Sequence, residues 1–293
     1  MAANAKILKR RIKSVGNTRK ITKAMEMVAA SKMRRIVGLT LKARPYAELS
    51  WDAIKAVFQA LGGGVSHPLL EPVENAEKSL VLLFTSDRGL AGSFNSNVIK
   101  KALSKISELG QVDAITIGGR GALALARKKI SVIASFEGFA NEPKYSDIVP
   151  VASLITEKYL SKEYKTVVIV YTEFISALKQ NAVSTELLPL GRDLVTKNSE
   201  STEKNSDKAL YEFEPNPERV LDSILPKLVE TMIYQKMLES AASEHSARMM
   251  AMRNATDAAG DMLSDLKFTY NQIRQAGITQ EIAEISSGAA AVE

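Results

Sequence analysis

Cysteine is absent from the 293-residue chain, and histidine occurs only twice, as His67 and His245. Without thiols there can be no disulfide framework, zinc–thiolate centre or cysteine nucleophile, and two histidines are too few for a multi-histidine metal site. No uncharged apolar run approaches the roughly 18–20 residues that a membrane-spanning helix needs. The longest runs are short, such as Leu80–Phe84 and Val167–Tyr171. No apolar segment follows the early basic residues, so a secretory signal is not expected. Proline is scarce at the start, where Pro45 stands alone in the first 58 residues. Acid is as scarce there: residues 1–44 hold Glu26 and no other carboxylate.

What is present is a core-forming composition, with 45% hydrophobic residues, which excludes global disorder. The length suits one large domain or two small ones. The 39 basic and 33 acidic residues give a net charge of +6, but the charge is unevenly spread. Residues 1–44 carry 13 basic side chains against Glu26, a net of +12, which leaves −6 for the other 249 residues. The chain is a basic arm on a mildly acidic body. A basic, acid-poor start also marks a mitochondrial transit peptide, but the helical pattern here continues unbroken beyond residue 40.

The expected order is helix, α/β middle, helix. Leu8, Ile12, Val15, Ala29, Met33 and Ile36 share one helical face. Between them, Ile21, Ala24, Met25 and Met27–Ala30 spread around the whole circumference, which one partner helix cannot cover. Pro45 is expected to kink or interrupt this helix near Arg44. In the middle, β-rich runs at Leu80–Thr85, Ala114–Ile117, Ile130–Ala134 and Thr166–Tyr171, and a further run ending at Leu187–Leu190, alternate with helical stretches near 93–109, 120–128 and 146–163. This predicts a Rossmann-like, mostly parallel sheet covered on both faces. Residues 196–208 read as a polar mobile loop. Asn216, Pro217 and Glu218 then form a helix start.

From Leu238 a 4, 3 spacing runs through Ala242, His245, Met249, Met252, Thr256, Ala259, Leu263, Leu266 and Tyr270 to Ile273. That is a coiled-coil seam of five heptads. A helix over 217–285 would be on the order of 100 Å long at 1.5 Å per residue, far beyond a small domain's diameter. Its seven basic and ten acidic residues complement the basic arm. The simplest geometry is an antiparallel pair of terminal helices on one α/β domain. The expected division is 1–58, first helix; 78–215, α/β domain; and 216–293, last helix.

The chemistry-bearing motifs are weak. Ser86–Ser93 and Gly118–Gly121 follow strands, where backbone N–H groups can bind phosphate, but neither matches a dinucleotide or P-loop pattern. Strand-to-helix turns need glycine regardless of ligand. His245 reads as a polar seam residue with a packing or register role. The basic arm could neutralise nucleic-acid phosphates, but it lacks interleaved aromatics. It could lie on a membrane, but the apolar girdle at 21–30 is all-round. Insertion into an acid-rimmed protein sleeve explains both charge and girdle. Two rivals remain: a dinucleotide-dependent α/β enzyme, which would bind nucleotide, and a nucleic-acid-binding coiled coil, which salt would release from DNA.

Both chain ends resemble a known family. Ile12–Arg34, Ala242–Met252 with Ala255-Thr256-Asp257, Tyr270-Asn271, Arg274–Glu281 and Ser287-Gly288-Ala289 are similar to the signatures of the F-type ATP synthase γ subunits, of bacterial type. Ala91 stands where that family usually has cysteine, and the cysteine pair of redox-regulated chloroplast relatives is absent. The resemblance implies a non-catalytic central rotor shaft of a proton-translocating ATP synthase, coupling rotation of the c-subunit ring to the catalytic β subunits. It implies an α₃β₃ hexamer, an ε subunit and a c ring as partners, one copy per complex, and no cofactor, metal or nucleic acid. It places the chain peripherally on the cytoplasmic face of the bacterial inner membrane. Lys23, Met25, Lys32, Arg34, Arg35 and Arg248 resemble positions coupled to β, and Arg274, Gln275 and Thr279 a polar catch on β. Tyr211 and Glu214 resemble foot positions near ε and the c ring.

Overall fold

The computed structural model describes residues 2–60, 67–74, 76–190 and 216–290. The polar loop expected at 196–208, with Tyr211 and Glu214, lies outside them. The elements in order are α1 (Ala2–Ala60), β1 (Lys78–Phe84), α2 (Phe94–Leu109), β2 (Val112–Ile117), α3 (Gly119–Arg127), β3 (Ser131–Phe136), α4 (Tyr145–Leu160), β4 (Tyr164–Phe174), β5 (Gln180–Leu188) and α5 (Pro217–Ala290). They divide into two compact units, Met1–Ala30 with Arg248–Glu293, and Ser31–Ala247.

In the larger unit the sheet order is β3-β2-β1-β4-β5. β1 through β4 are parallel, and β5 returns antiparallel to β4. β1 is central and buried from Ser79 onward because both faces are covered. Its side chains alternate between two cores, as the strand period of two requires. Leu80, Leu82 and Phe84 join α4 and the first part of α5, through Ile148, Ile155, Leu225 and Ile233. Val81 and Leu83 join α2 and α3, through Val98, Ala102 and Leu125. The chain leaves β1 one way through β2 and β3 and returns on the other side as β4. Crossovers of one hand then place α2 and α3 on one face and α4 on the other.

Two expectations are corrected. Of the kink or interruption expected at Pro45, the interruption does not occur, since α1 is continuous to Ala60. Proline deprives the Leu41 carbonyl of its helical partner, but Leu41 and Tyr46 are exposed, so water can take that carbonyl. β3 is not covered on both faces: its residues alternate exposed and half-buried, because it is the sheet edge. The start of α5 follows expectation, with the Asn216 side chain accepting the Arg219 N–H at 2.9 Å.

Gly118 turns β2 into α3 at φ +100°, and a Cβ there would sit against the Thr85 carbonyl oxygen. Gly118→Ala should therefore cost about 2 kcal/mol or more. Gly16 lies inside α1 with nothing within 4 Å of an added Cβ, so Gly16→Ala should stabilise by about 0.5–1 kcal/mol. Urea unfolding of the two variants checks both signs.

His67 ties the segment before β1 to α5. Its Nδ1 accepts the Leu69 N–H at 3.1 Å, and its Nε2 lies 3.3 Å from Asp222. Burial lowers the imidazole pKa, against the opposing pull of Asp222 and Glu71. A lowered folded pKa means that the neutral ring is the folded form. Its contribution is complete above the unfolded value, near 6.5, and fades as pH falls through the lower folded value. His67→Gln should flatten the stability–pH curve below about pH 6.5, measurable by thermal melts at stepped pH.

Candidate coupling surface

In the smaller unit the two helix segments form a seam. On α1, Leu8, Ile12, Val15, Met25 and Ala29 are half-buried or buried, with Thr22 buried among them. On α5, Met252, Thr256 and Ala259 are buried, and Leu263, Leu266, Tyr270 and Ile273 are half-buried at the expected 3, 4 spacing. The pairing is antiparallel: Thr22 meets Thr256, Arg19 lies beside Gly260, and Ala5 shares a groove of about 490 Å³ with Ile273 and Gly277. The Thr256 hydroxyl lies 2.8 Å from that of Thr22 and 2.8 Å from the Met252 carbonyl, while the Thr22 hydroxyl lies 3.1 Å from the Arg19 carbonyl. Sequence reasoning missed Thr22, although it stands seven residues from both Val15 and Ala29.

The seam leaves much apolar surface outside. Ile21 (60% exposed), Met27 (64%) and Val28 (56%) point away from it. Around them stand exposed Lys20 and Lys23, the latter 3.0 Å from Glu26. Met25 is half-buried between seam and surface. Farther along, Arg274, Gln275 and Thr279 are exposed, with Arg274 lining the groove at Ile273. Arg248 is half-buried. This surface offers apolar contact ringed by charge, with no titratable constellation of catalytic type.

Three of the expected coupling residues fall in the larger unit. Arg34 is exposed. Lys32 and Arg35 instead reach their own α/β body: Lys32 Nζ donates to Asn141 Oδ1 at 2.9 Å, and Arg35 donates to the Asn141 carbonyl at 2.9 Å and to Glu142 at 3.2 Å.

The crevice at the carboxyl ends of the strands, where open α/β sheets bind ligands, is filled by the chain itself. Met237, Ser240, Ala241 and Glu244 of α5 close over Phe84, Ile117 and Gly118, leaving about 10 Å³, near the minimum for one water. The Asp87 carboxylate accepts the Gly119 N–H at 3.2 Å and the Gly138 N–H at 2.9 Å. It thereby takes the helix N-terminus that a phosphate would use. Among the described residues, no cluster of His, Asp or Glu could hold a metal.

The class so defined is a helix-pair subunit whose α/β body has closed its own ligand crevice. A sequence model described as ATP synthase matches residues 4–292. The ATP synthase gamma chain of Streptomyces coelicolor is 44% identical over 300 residues, covering 100% of this chain and 97% of that one. That of Pelotomaculum thermopropionicum is 43% identical and covers 98% of both chains. The chain belongs to the ATP synthase gamma-chain family, and is a subunit of that complex and not one of its catalytic chains. Its fold is shared by a chain of the Euglena gracilis mitochondrial ATP synthase OSCP/F1/c-ring structure, at TM-score 0.68 and 17% identity over 100% of this chain and 95% of that one. A chain of the Tetrahymena thermophila central stalk/c-ring structure matches at 0.59 and 24%, covering 80% of this chain and 99% of that one.

The threonine pair yields a test. Thr22→Val and Thr256→Val should each cost about 1 kcal/mol, with a coupling of ~0.5–1.5 kcal/mol in a double-mutant cycle measured by chemical denaturation. Additive losses would show that the hydroxyls do not act on each other.

Proposed function

We propose that this chain is the central rotor shaft of a proton-translocating ATP synthase. The paired terminal helices, residues 1–58 and 216–293, turn inside the α₃β₃ hexamer, and the α/β body, residues 78–215, binds the ε subunit and the c-subunit ring. Rotation driven by the ring presents different faces of the shaft to each β subunit in turn, and the β sites change conformation in sequence. One copy serves each complex. The same shaft runs in reverse during hydrolysis.

The observation that carries this reading is the outward girdle of Ile21, Met27 and Val28 on a helix whose inner seam is already filled. Such a surface needs a sleeve, and its flanking cations ask for an acidic rim. The weakness of exposed ion pairs, about 0–1 kcal/mol each, suits a contact that must break at every step. Lys23, Met25, Lys32, Arg34, Arg35 and Arg248 are assigned to the β collar. Arg274, Gln275 and Thr279 form the catch, and Tyr211 and Glu214 the foot. No helix among the described residues is long and apolar enough to cross a membrane. The resemblance to the gamma chains supports peripheral attachment, on the cytoplasmic face of the bacterial inner membrane.

The deciding experiment is co-expression of the tagged chain with the α and β subunits. The expected result is a stable complex through ion exchange and gel filtration, while the isolated chain binds neither ATP nor NAD in equilibrium dialysis. Nucleotide bound by the isolated chain, with no α–β complex recovered, would overturn the assignment in favour of an α/β enzyme.

A further inference from the structure

In the larger unit, one short stretch of α5 carries three buried side chains that all reach backbone carbonyls of the α/β body. Ser243 Oγ donates to the Thr172 carbonyl at 3.1 Å, and Ser246 Oγ to the Ala177 carbonyl at 2.6 Å. His245 Nε2 lies 3.0 Å from the Ala140 carbonyl, and because a carbonyl oxygen can only accept, Nε2 carries the proton. Ser243 and Ser246 are fully buried, and His245 is 3% exposed. Thr172 is in β4 and Ala177 lies in the turn between β4 and β5, whereas Ala140 lies in the segment between β3 and α4.

The directions of these bonds matter. Residues 243 and 246 are three apart and share a helix side, while 243 and 245 are about 200° apart at 100° per residue. His245 and Ser243 are about 160° apart the shorter way round, so the β3–α4 segment and the hairpin hold α5 across nearly half its circumference. Ala242 lies between them, three residues from His245 and four from Ser246, and packs with Ile36 of α1. A helix held at one point can roll about its axis, but one held at both ends of such an arc cannot. The small residues Ala241, Ala242, Ser243 and Ser246 let the body approach closely enough to make these bonds. The same β3–α4 segment is also held by α1, through Lys32 and Arg35 on Asn141 and Glu142. Asp87 fixes its beginning at the Gly138 N–H.

We propose that Ser243, His245 and Ser246, closing on the Thr172, Ala140 and Ala177 carbonyls, form the torsional clamp through which the α/β body turns the helix pair. The segment Gly138–Glu142 is the buckle that binds α1 and α5 to that body. These are positioning residues and act on no substrate. The clamp uses backbone acceptors, whose places are set by the fold, so its strength depends on the α5 donors. This inference rests on the rotor assignment.

The test uses the full chain assembled with its partner subunits in proteoliposomes. His245→Leu, combined with Ser243→Ala and Ser246→Ala, should leave ATP hydrolysis within twofold of the parent while protons pumped per ATP fall at least threefold. The torsional stiffness of the rotor, read from angular fluctuations of a bead on the α/β body, should drop by a similar factor. His245→Gln, whose side-chain amide can still donate to Ala140, should retain most of the parent's pumping and stiffness. Unchanged pumping and stiffness in the triple variant would overturn the clamp. If the triple variant does not assemble, Ala140→Cys with His245→Cys, bridged by a short thiol crosslinker, gives a second reading. The chain has no cysteine of its own. A clamp stays closed through turnover, so the bridged complex should pump at the parent rate, and loss of turnover on bridging would overturn the proposal. Failure of the unmodified chain to assemble with α and β would count against the rotor assignment itself, and is read separately.

Discussion

Helix α5 has to satisfy two different burial requirements, one in each compact unit, and the rest of the structure follows from that. Between Leu221 and Ser246 it is a core helix, with Leu225, Leu228, Val229 and Ile233 buried against the sheet. From Met249 onward only a narrow 3–4 stripe is covered. The side chains change to match. Large aliphatics fill the first part, where a whole face is withdrawn from water at roughly 25 cal/mol per Å². Small or flexible residues such as Met252, Thr256 and Ala259 line the second. Between the two lies the stretch of buried serines and His245, whose hydroxyls and imidazole meet carbonyls of the body.

The same helix settles what the α/β domain does. The topology reverses direction at β1, and that crevice is the usual place for a nucleotide in such sheets. Here Met237, Ser240 and Glu244 occupy it, and the Asp87 carboxylate supplies the negative charge that the α3 N-terminus attracts. An internal carboxylate needs no ligand and leaves at no point in a cycle. A fold suited to binding becomes a closed mount for α5, which is what the proposed rotor role asks of it. The terminal helix pair makes the complementary compromise. Its seam satisfies Thr22 and Ala29 but leaves Ile21, Met27 and Val28 in contact with solvent in the isolated chain. That cost is recovered only inside a partner.

Much of this was legible in the residues. The heptad spacing from Leu238 to Ile273 located the seam, because helical periodicity is a local property. The strand runs and the Asn216 cap were read for the same reason. The uneven charge pointed to the basic arm, and the apolar girdle to a sleeve. The departures came where the outcome depended on neighbours. Pro45 sits within a continuous helix because the carbonyl it deprives is on an exposed turn. Ile130–Ala134 read like a buried strand, yet its strand is the sheet edge, which strand propensity does not record. Lys32 and Arg35 resemble positions that face a partner, and their bonds to Asn141 and Glu142, more than a hundred residues away, were not legible in the sequence.

The sequence by itself determined the elements, the charged arm, the seam and the family, since each is written in spacing and order along the chain. Tertiary structure alone decided that the Asp87 carboxylate takes the Gly119 N–H, that Thr22 faces Thr256, and that three donors on α5 close on three separate carbonyls. The reason is physical. Backbone carbonyls are identical in every residue and carry no sequence signature. Which of them a buried serine or histidine meets is fixed only when distant segments pack together.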